Sequence, residues 1–439
     1  MTTELPPVHE AWLPREHSLH RPRHGKRQLT ALISALVFFA TPTLMWVVGM
    51  RPSEIENHEL ASFPGFGEGW GLFTGMEPWA TDNLVFREEA LSAADWASRT
   101  FFGEPPPFDQ GGSTPTGPLP GTPTEQNENP DTDRDTPIEG PSEGAEQAGF
   151  RDVVEGTDDW LYYGSDALSK CHPTKPLAQT IAQLAKLRDV VERSGRTFVL
   201  VLVPDKTTMV PEHLPDTYPG KDCAAPVTPE LWQQSIGVAG GMDMRPRLAA
   251  AAERNDKPMY YPLDTHWTSE GALEMVKAVA QEVKPGVAET WRIQKKEVEL
   301  VTADLPRLVG RKGDNEIINY RLKPDGRYDR ARNATIDLIE PKRYDSDELR
   351  GMVYAPTAVF GDSFLVNASS YLPAAFADLT MQYYRSALNR PDEVIDTFTD
   401  AEIVVFEVVE RNIAAGAIDL LDQRFLDRLD DELQKHPVG

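Results

Sequence analysis

Three short apolar runs constrain the fold of this chain more than anything else in it. Thr197–Val203, Val353–Phe360 and Ile403–Val409 lack the apolar–polar alternation of a strand with one wet face. Runs of this kind suit strands covered on both sides, which is the usual state of a parallel sheet. Helical patterns lie between them. Pro176 to Ser194 carries Leu177, Ile181, Leu184, Leu187 and Val191 on one side and stops at Gly195. Arg247 to Asn255 reads as a second helix. A third has Ala272, Leu273, Val276, Val279, Ala280 and Val283 at 3.6 spacing, with Thr268 or Ser269 placed to cap it. Pro258–Leu263 reads as a short extended piece, residues 290–345 as short strands and polar loops, and Leu420–Leu433 as a charged terminal helix. Strands alternating with helices predict an α/β domain with a doubly wound parallel sheet over residues 150–439.

The second run ends abruptly in Gly361-Asp362-Ser363, after which Leu365, Ala368, Leu372 and Phe376 continue at helical spacing. A serine on a strand-to-helix turn holds its hydroxyl at the sheet's C-terminal edge, where open α/β folds bind ligands. Its backbone N–H, near a helix N-terminus, can face a developing oxyanion. A turn with an N-cap is the plain alternative.

Outside this domain the chain changes character. Leu29–Met50 contains no charged residue, and about 22 residues at 1.5 Å each span roughly 33 Å, enough for a bilayer core. Arg21, Arg23, Lys26 and Arg27 precede it, and Glu54, Glu56 and Glu59 follow. The positive-inside rule then predicts a cytoplasmic tail over 1–28, a signal anchor over 29–50 and everything later outside the cytoplasm. A cleaved signal peptide is the rival reading. Residues 51–103 read as a juxtamembrane helical segment with Trp79, Leu84, Leu91 and Trp96 at its apolar positions. Residues 104–149 are rich in Pro, Gly, Thr and acids, with Arg134 as the sole base. Such a segment has too little apolar surface to offset its ordering entropy and is expected to be a disordered acidic linker. The whole chain carries 69 acids against 44 bases, a net charge of −25, which argues against nucleic-acid binding.

The two cysteines, Cys171 and Cys223, both fall on the outer side of the expected span. Disulfides persist there, so a bridge is expected, tying the start of the domain to the loop after its first strand. Two free thiols are the alternative.

A serine nucleophile needs a base, usually histidine, which an acid in turn orients. Of the nine histidines, His9, His17, His20 and His24 precede the span, His58 lies beside it, and His436 is in the tail. His172 adjoins Cys171 and His213 lies in a proline-rich loop, whereas His266 has Asp264 two residues before it and a helix immediately after. A capped turn with a surface histidine is the alternative reading of Asp-x-His. Zinc ligation is a further one, but no HExxH or other close His/Cys cluster supports a metal.

Asp264-Thr265-His266-Trp267 followed by Gly271, and Gly361-Asp362-Ser363-Phe364, resemble the alginate O-acetyltransferase family, the AlgJ/AlgX-like SGNH-hydrolase proteins. Further stretches resemble it in order: Glu56-Asn57 to Phe63-Pro64, Asp82-Asn83 to Phe86-Arg87, Asp159-Trp160-Leu161-Tyr162, Val203-Pro204-Asp205-Lys206 and Val409-Glu410-Arg411. The resemblance covers most of residues 54–412. Two departures stand out: the acidic insert at 104–149, and Asn83-Leu84-Val85 where the family has His-Phe-Gly.

The resemblance implies an SGNH-hydrolase-like fold and an exported or membrane-tethered enzyme that moves acetyl groups onto a polysaccharide. Ser363 would be the nucleophile, His266 the base and Asp264 its orienting acid, with the Gly-Asp-Ser block last in the chain. Beside the resemblance, Lys206 reads as a substrate contact or a structural ion pair, and Arg411 as a contact to an anionic sugar or a partner of Glu410 or Asp362. Trp267 would stack on a sugar, or else pack the catalytic loop. No cofactor is expected. One span and no acetyl-CoA outside imply a separate multi-span membrane partner that delivers acetyl groups. An acetylesterase with the same site and a non-catalytic polysaccharide-binding scaffold are the rivals.

Overall fold

The apolar runs become the middle of a sheet with both faces covered. The computed structural model describes residues 150–438 other than residue 336, together with isolated positions between Thr30 and Trp79. The tail 1–28, the span 29–50, the juxtamembrane segment 51–103 and the linker 104–149 therefore lie outside the described residues, those isolated positions apart. No helix among the described residues is long and apolar enough to cross a membrane.

An antiparallel pair, β1 (Val153–Glu155) and β2 (Leu161–Tyr163), comes first. Helices α1 (Ser165–Cys171) and α2 (Leu177–Arg193) lead to β3 (Thr197–Val203). The single turn α3 (Lys206–Met209), the long α4 (Lys221–Gly237), β4 (Met242–Asp243), α5 (Arg245–Asn255) and α6 (Ser269–Val283) follow. Strands β5 (Arg292–Thr302) and β6 (Asp314–Lys323) form a separate antiparallel hairpin, and its connection contains α7 (Asp304–Leu308). After β7 (Lys342–Asp345), β8 (Thr357–Gly361) runs into α8 (Phe364–Ser369) and α9 (Leu372–Ala375). The chain then forms β9 (Asp378–Tyr383), α10 (Ser386–Asn389), α11 (Pro391–Thr399), β10 (Ile403–Val409), α12 (Glu410–Ala415) and α13 (Gln423–Lys435).

The main sheet has the order β4-β3-β10-β8-β9-β7. The first five strands are parallel, and β7 pairs antiparallel with β9. The expected all-parallel sheet is thus corrected at one edge. Lys342, Arg343 and Asp345 of β7 are polar, as suits a short strand that closes an otherwise unpaired edge.

Period two sorts each central strand between two layers. Val199, Val201 and Val203 of β3 join Ala272, Val276 and Val279 of α6 in one core. Leu200 and Leu202 join Ile181, Leu184 and Leu187 of α2 and Leu426, Leu429 and Leu433 of α13 in the other. The parallel register sets Val203 beside Val409, so β3 and β10 end together, and β8 ends on the same edge.

Three readings of the chain change. The run Val353–Phe360 yields a strand only from Thr357; Val353 makes an isolated bridge to Phe376, and the following helix splits into α8 and α9 with Pro373 at the start of the second. Tyr260 of the segment 258–263 makes only a single bridge, to Trp267. Cys171 and Cys223 form a disulfide with Cα atoms 5.4 Å apart, but Cys223 lies in the first turn of α4 and not in a loop. Pro226 and Pro229 argue for a loop in the sequence; α4 carries both at exposed positions.

Candidate active site

The strand-to-helix turn after β8 is pinned by two acids. Glu407 of β10 accepts the Asp362 N–H through Oε2 at 3.1 Å. Asp362 Oδ1 accepts the Phe364 N–H at 3.1 Å, and Oδ2 accepts from Val409 N and Asn412 Nδ2 at 3.0 Å each. Gly361 is required by close approach, since a Cβ there would lie 2.4 Å from Glu407 Oε2. The carboxylate of Asp362 does the work a capping serine would do, and the Ser363 side chain makes no cap bond. Burial pushes the Asp362 and Glu407 carboxyls above their usual range.

His266 sits on a loop closed by main-chain bonds, Tyr261 N to His266 O at 3.3 Å and Thr268 N to Met259 O at 2.7 Å. Thr268 then caps α6, its Oγ1 accepting from Gly271 N at 3.3 Å. Two bonds stitch this loop to the Ser363 helix: Trp267 Nε1 donates to the Phe364 carbonyl at 3.1 Å, and Asn367 Nδ2 donates to the Trp267 carbonyl at 3.0 Å. The His266 ring packs on Phe364, the residue after Ser363, with centroids 4.9 Å apart.

Asp264 Oδ1 lies 2.7 Å from His266 Nδ1. A second acid, Asp304, places Oδ2 3.3 Å from the same nitrogen. It stands forty residues from Asp264, where the sequence pattern shows no partner for a histidine. His266 Nε2 is buried and makes no hydrogen bond. Burial alone would lower the His266 pKa; the hydrogen bonds to Asp264 and Asp304 outweigh it and hold it well above its usual value. Asp264, His266 and Asp304 also have the proximity of a cation site, their donor atoms within 4.8 Å of one another. At 2.7 Å the Asp264–imidazole contact has the length of a charge-assisted hydrogen bond, which already uses the Nδ1 edge.

The residues read from sequence as substrate contacts are placed differently. Lys206 is 1% exposed and donates to the carbonyls of Tyr261, Pro262 and Asp264, each at 2.8 Å. It holds the histidine loop and does not face an open site. Trp267 is fully buried, in keeping with the packing alternative. Arg411 is buried too, with Nη1 3.4 Å from Asp205 Oδ1 and 3.7 Å from Asp166 Oδ1, and its guanidinium lies over the Phe364 and Tyr163 rings. Of the partners the sequence suggests, Asp362 holds the serine turn. Glu410 instead pairs with Lys170 at 3.0 Å, and Lys170 also meets Asp205 at 2.8 Å.

Several known proteins resemble this chain. Residues 153–391, more than half of the chain, match the family model described as SGNH hydrolase-like domain, acetyltransferase AlgX. The probable alginate O-acetylase AlgJ of Pseudomonas syringae pv. tomato is 30% identical over 155 residues, 34% of this chain and 37% of that protein. Its namesake in Pseudomonas fluorescens is 28% identical over 135 residues, 30% of this chain and 33% of that protein. The match thus spans about a third of the length of these relatives. Among solved structures, the O-acetyltransferase domain of Pseudomonas putida AlgJ aligns with 64% of this chain and 98% of its own, at 19% identity and a TM-score of 0.44. Pseudomonas aeruginosa AlgX aligns with 60% of this chain and 66% of its own, at 16% identity and a TM-score of 0.39. On the family match, the chain belongs to the AlgX-type SGNH hydrolase-like acetyltransferase family.

Proposed function

We propose that this chain is a membrane-anchored, extracytoplasmic O-acetyltransferase that moves acetyl groups to hydroxyls of a cell-surface or secreted polysaccharide. The observation that carries the reading is the His266 imidazole, anchored by a carboxylate at Nδ1 and left without a partner at Nε2 beside the Ser363 turn.

In the proposed cycle His266 first loses its proton at Nε2. Ser363 Oγ then attacks the acetyl carbonyl of the donor while Nε2 takes the hydroxyl proton. The donor's leaving oxygen departs with that proton, leaving acetyl-Ser363. A sugar hydroxyl next attacks the acetyl carbonyl, its proton passes to Nε2, and Ser363 Oγ leaves and recovers the proton. The backbone N–H of Ser363 itself, not those of Phe364, Leu365 and Val366, which are already bonded, would stabilise the oxyanion of each tetrahedral intermediate. The donor is proposed to be a separate multi-span membrane protein, and the acceptor a glycan like the one in the names of the AlgJ relatives, alginate.

The test supplies the full-length chain in detergent with a labelled acetyl donor, with and without an acceptor oligosaccharide. Acetylated oligosaccharide is expected. Release of acetate at the same rate in both arms identifies an acetylesterase. No turnover in either arm, with the protein folded, supports the scaffold instead.

A further inference from the structure

The hairpin β5–β6 reaches the site through its connection and the start of β6. Asp304 begins α7 directly after β5, and Asn315 lies on β6 opposite Val301. Both converge on the histidine loop. Asp304 accepts the Thr265 N–H at 3.0 and 3.3 Å through its two oxygens, and its own N–H donates to Asp264 Oδ2 at 3.3 Å. Asn315 Nδ2 donates to the same Oδ2 at 3.0 Å. Asp264 Oδ1 meets both the main-chain N–H of His266, at 3.1 Å, and the ring Nδ1. Two carboxylates thus lie against one ring nitrogen, and the donors around them fix their positions.

We propose that Asp304 is a second positioning acid for His266, shared with Asp264, so that the imidazole is clamped from two chain segments and neither acid alone is indispensable. The functional half of this proposal rests on His266 being the catalytic base; the clamp itself does not. Like charges this close repel unless a cation lies between them, and an imidazolium supplies it. The other ionisable groups that sense His266 are Asp362 on the serine turn and Glu407 on β10, while Arg411 lies over the far ring, Phe364. All three are buried, and it is Asp264 and Asp304 that hold the Nδ1 edge of the imidazole.

A clamp of two acids predicts a pattern that a single-acid triad does not. Asp264→Asn keeps an acceptor at Nδ1 and leaves Asp304 charged, so kcat should fall by about 10- to 100-fold, short of the roughly 10⁴-fold loss seen where one acid acts alone. Asp304→Asn should cost about tenfold, with acceptor KM unchanged. The double variant should fall to the level of His266→Ala, at or beyond the product of the single effects.

The decisive readout does not need turnover. Nitrogen-15 histidine NMR of the full-length chain, with the His266 signal assigned by its loss in His266→Gln, gives the imidazole pKa directly. Asp304→Asn should lower it by about one unit or more, and Asp304→Glu should largely keep it. A folded Asp304→Asn protein with the His266 pKa unmoved overturns the proposal. If Asp304→Asn does not fold, Asp304→Ser retains an acceptor for Thr265 N–H without the charge and is read in the same way. Should neither fold, Asp304 is a structural cap and the proposal also fails. A lowered pKa in an enzyme that transfers no acetyl group sustains the clamp and removes only the catalytic reading.

Discussion

Two clusters of charge lie along the C-terminal edge of the same sheet, and they solve opposite problems. Behind the ends of β3 and β10, Lys170 and Arg411 are surrounded by Asp166, Asp205 and Glu410, all buried. Each cation there meets carboxylates. Around His266 there are again two acids and one base, but the base is bivalent and only one of its nitrogens is engaged. In the first arrangement each charge faces an opposite one. The second holds one donor–acceptor atom in reserve, buried and aimed by its neighbours. Charge density alone does not tell the two apart; the unspent valence of one imidazole does.

The largest expected effect tests that unspent valence. Ser363→Ala and His266→Ala should each lower acetyl turnover by about 10³-fold or more without unfolding the chain, and the pair should lose no more than either alone. A serine-directed sulfonyl fluoride should label Ser363 in the wild type and label it poorly in His266→Ala. Additive losses, or equal labelling, would mean that the two residues do not act on one step.

The saturated cluster should respond in stability instead. Lys170→Met leaves Asp205 and Glu410 buried without their cation, and removing one partner of a buried ion group costs about 3–5 kcal/mol. Urea denaturation reads this loss. A stability change below about 1 kcal/mol would make the cluster as dispensable as a surface pair.

A smaller effect separates the clusters by pH. Burial, and then repulsion from Asp205, pushes the Asp166 carboxyl up to about 7, and burial raises Asp419 to about 6 and Asp362, Glu407 and Glu410 in the same direction. The folded state then holds more protons than the unfolded chain between about pH 4 and 7, so stability falls as pH rises through that window. His266, also raised, adds to the same slope at higher pH. The melting temperature should be a few degrees higher at pH 5 than at pH 8, and Asp166→Asn should flatten the difference. A profile that rises with pH would contradict the burial of these acids.

The histidine–serine half of this comparison was legible in the chain and the lysine–arginine half was not. Gly-Asp-Ser after a buried run, and Asp-x-His before a capped helix, are local patterns whose geometry follows from strand ends and helix starts. Asp304 escaped because its partnership with His266 is made by the fold: it follows a strand whose eleven residues are all exposed, in a stretch with no clear period. Lys206 and Arg411 admit a substrate-contact reading beside the ion-pair one because a long cation after a strand end looks available. Their burial depends on acids and carbonyls brought from Asp166, Asp205 and the 261–264 loop, far away in sequence. Pro226 and Pro229 hid α4 for a different reason, since a proline removes a helical hydrogen bond without forbidding a helix that packs well on its other side.

Lys206 has one more consequence. Its ammonium sits among three main-chain oxygens in the way a dehydrated monovalent ion sits in a ring of carbonyls. Such a ligand reads the path of the backbone and is blind to the side chains hung on it. Pro262, which is exposed, is therefore free to be exchanged for another residue as long as the main chain keeps its course, whereas one residue inserted there would break the coordination. Where Lys206 holds it, the loop that aims His266 is tolerant in composition and intolerant in length.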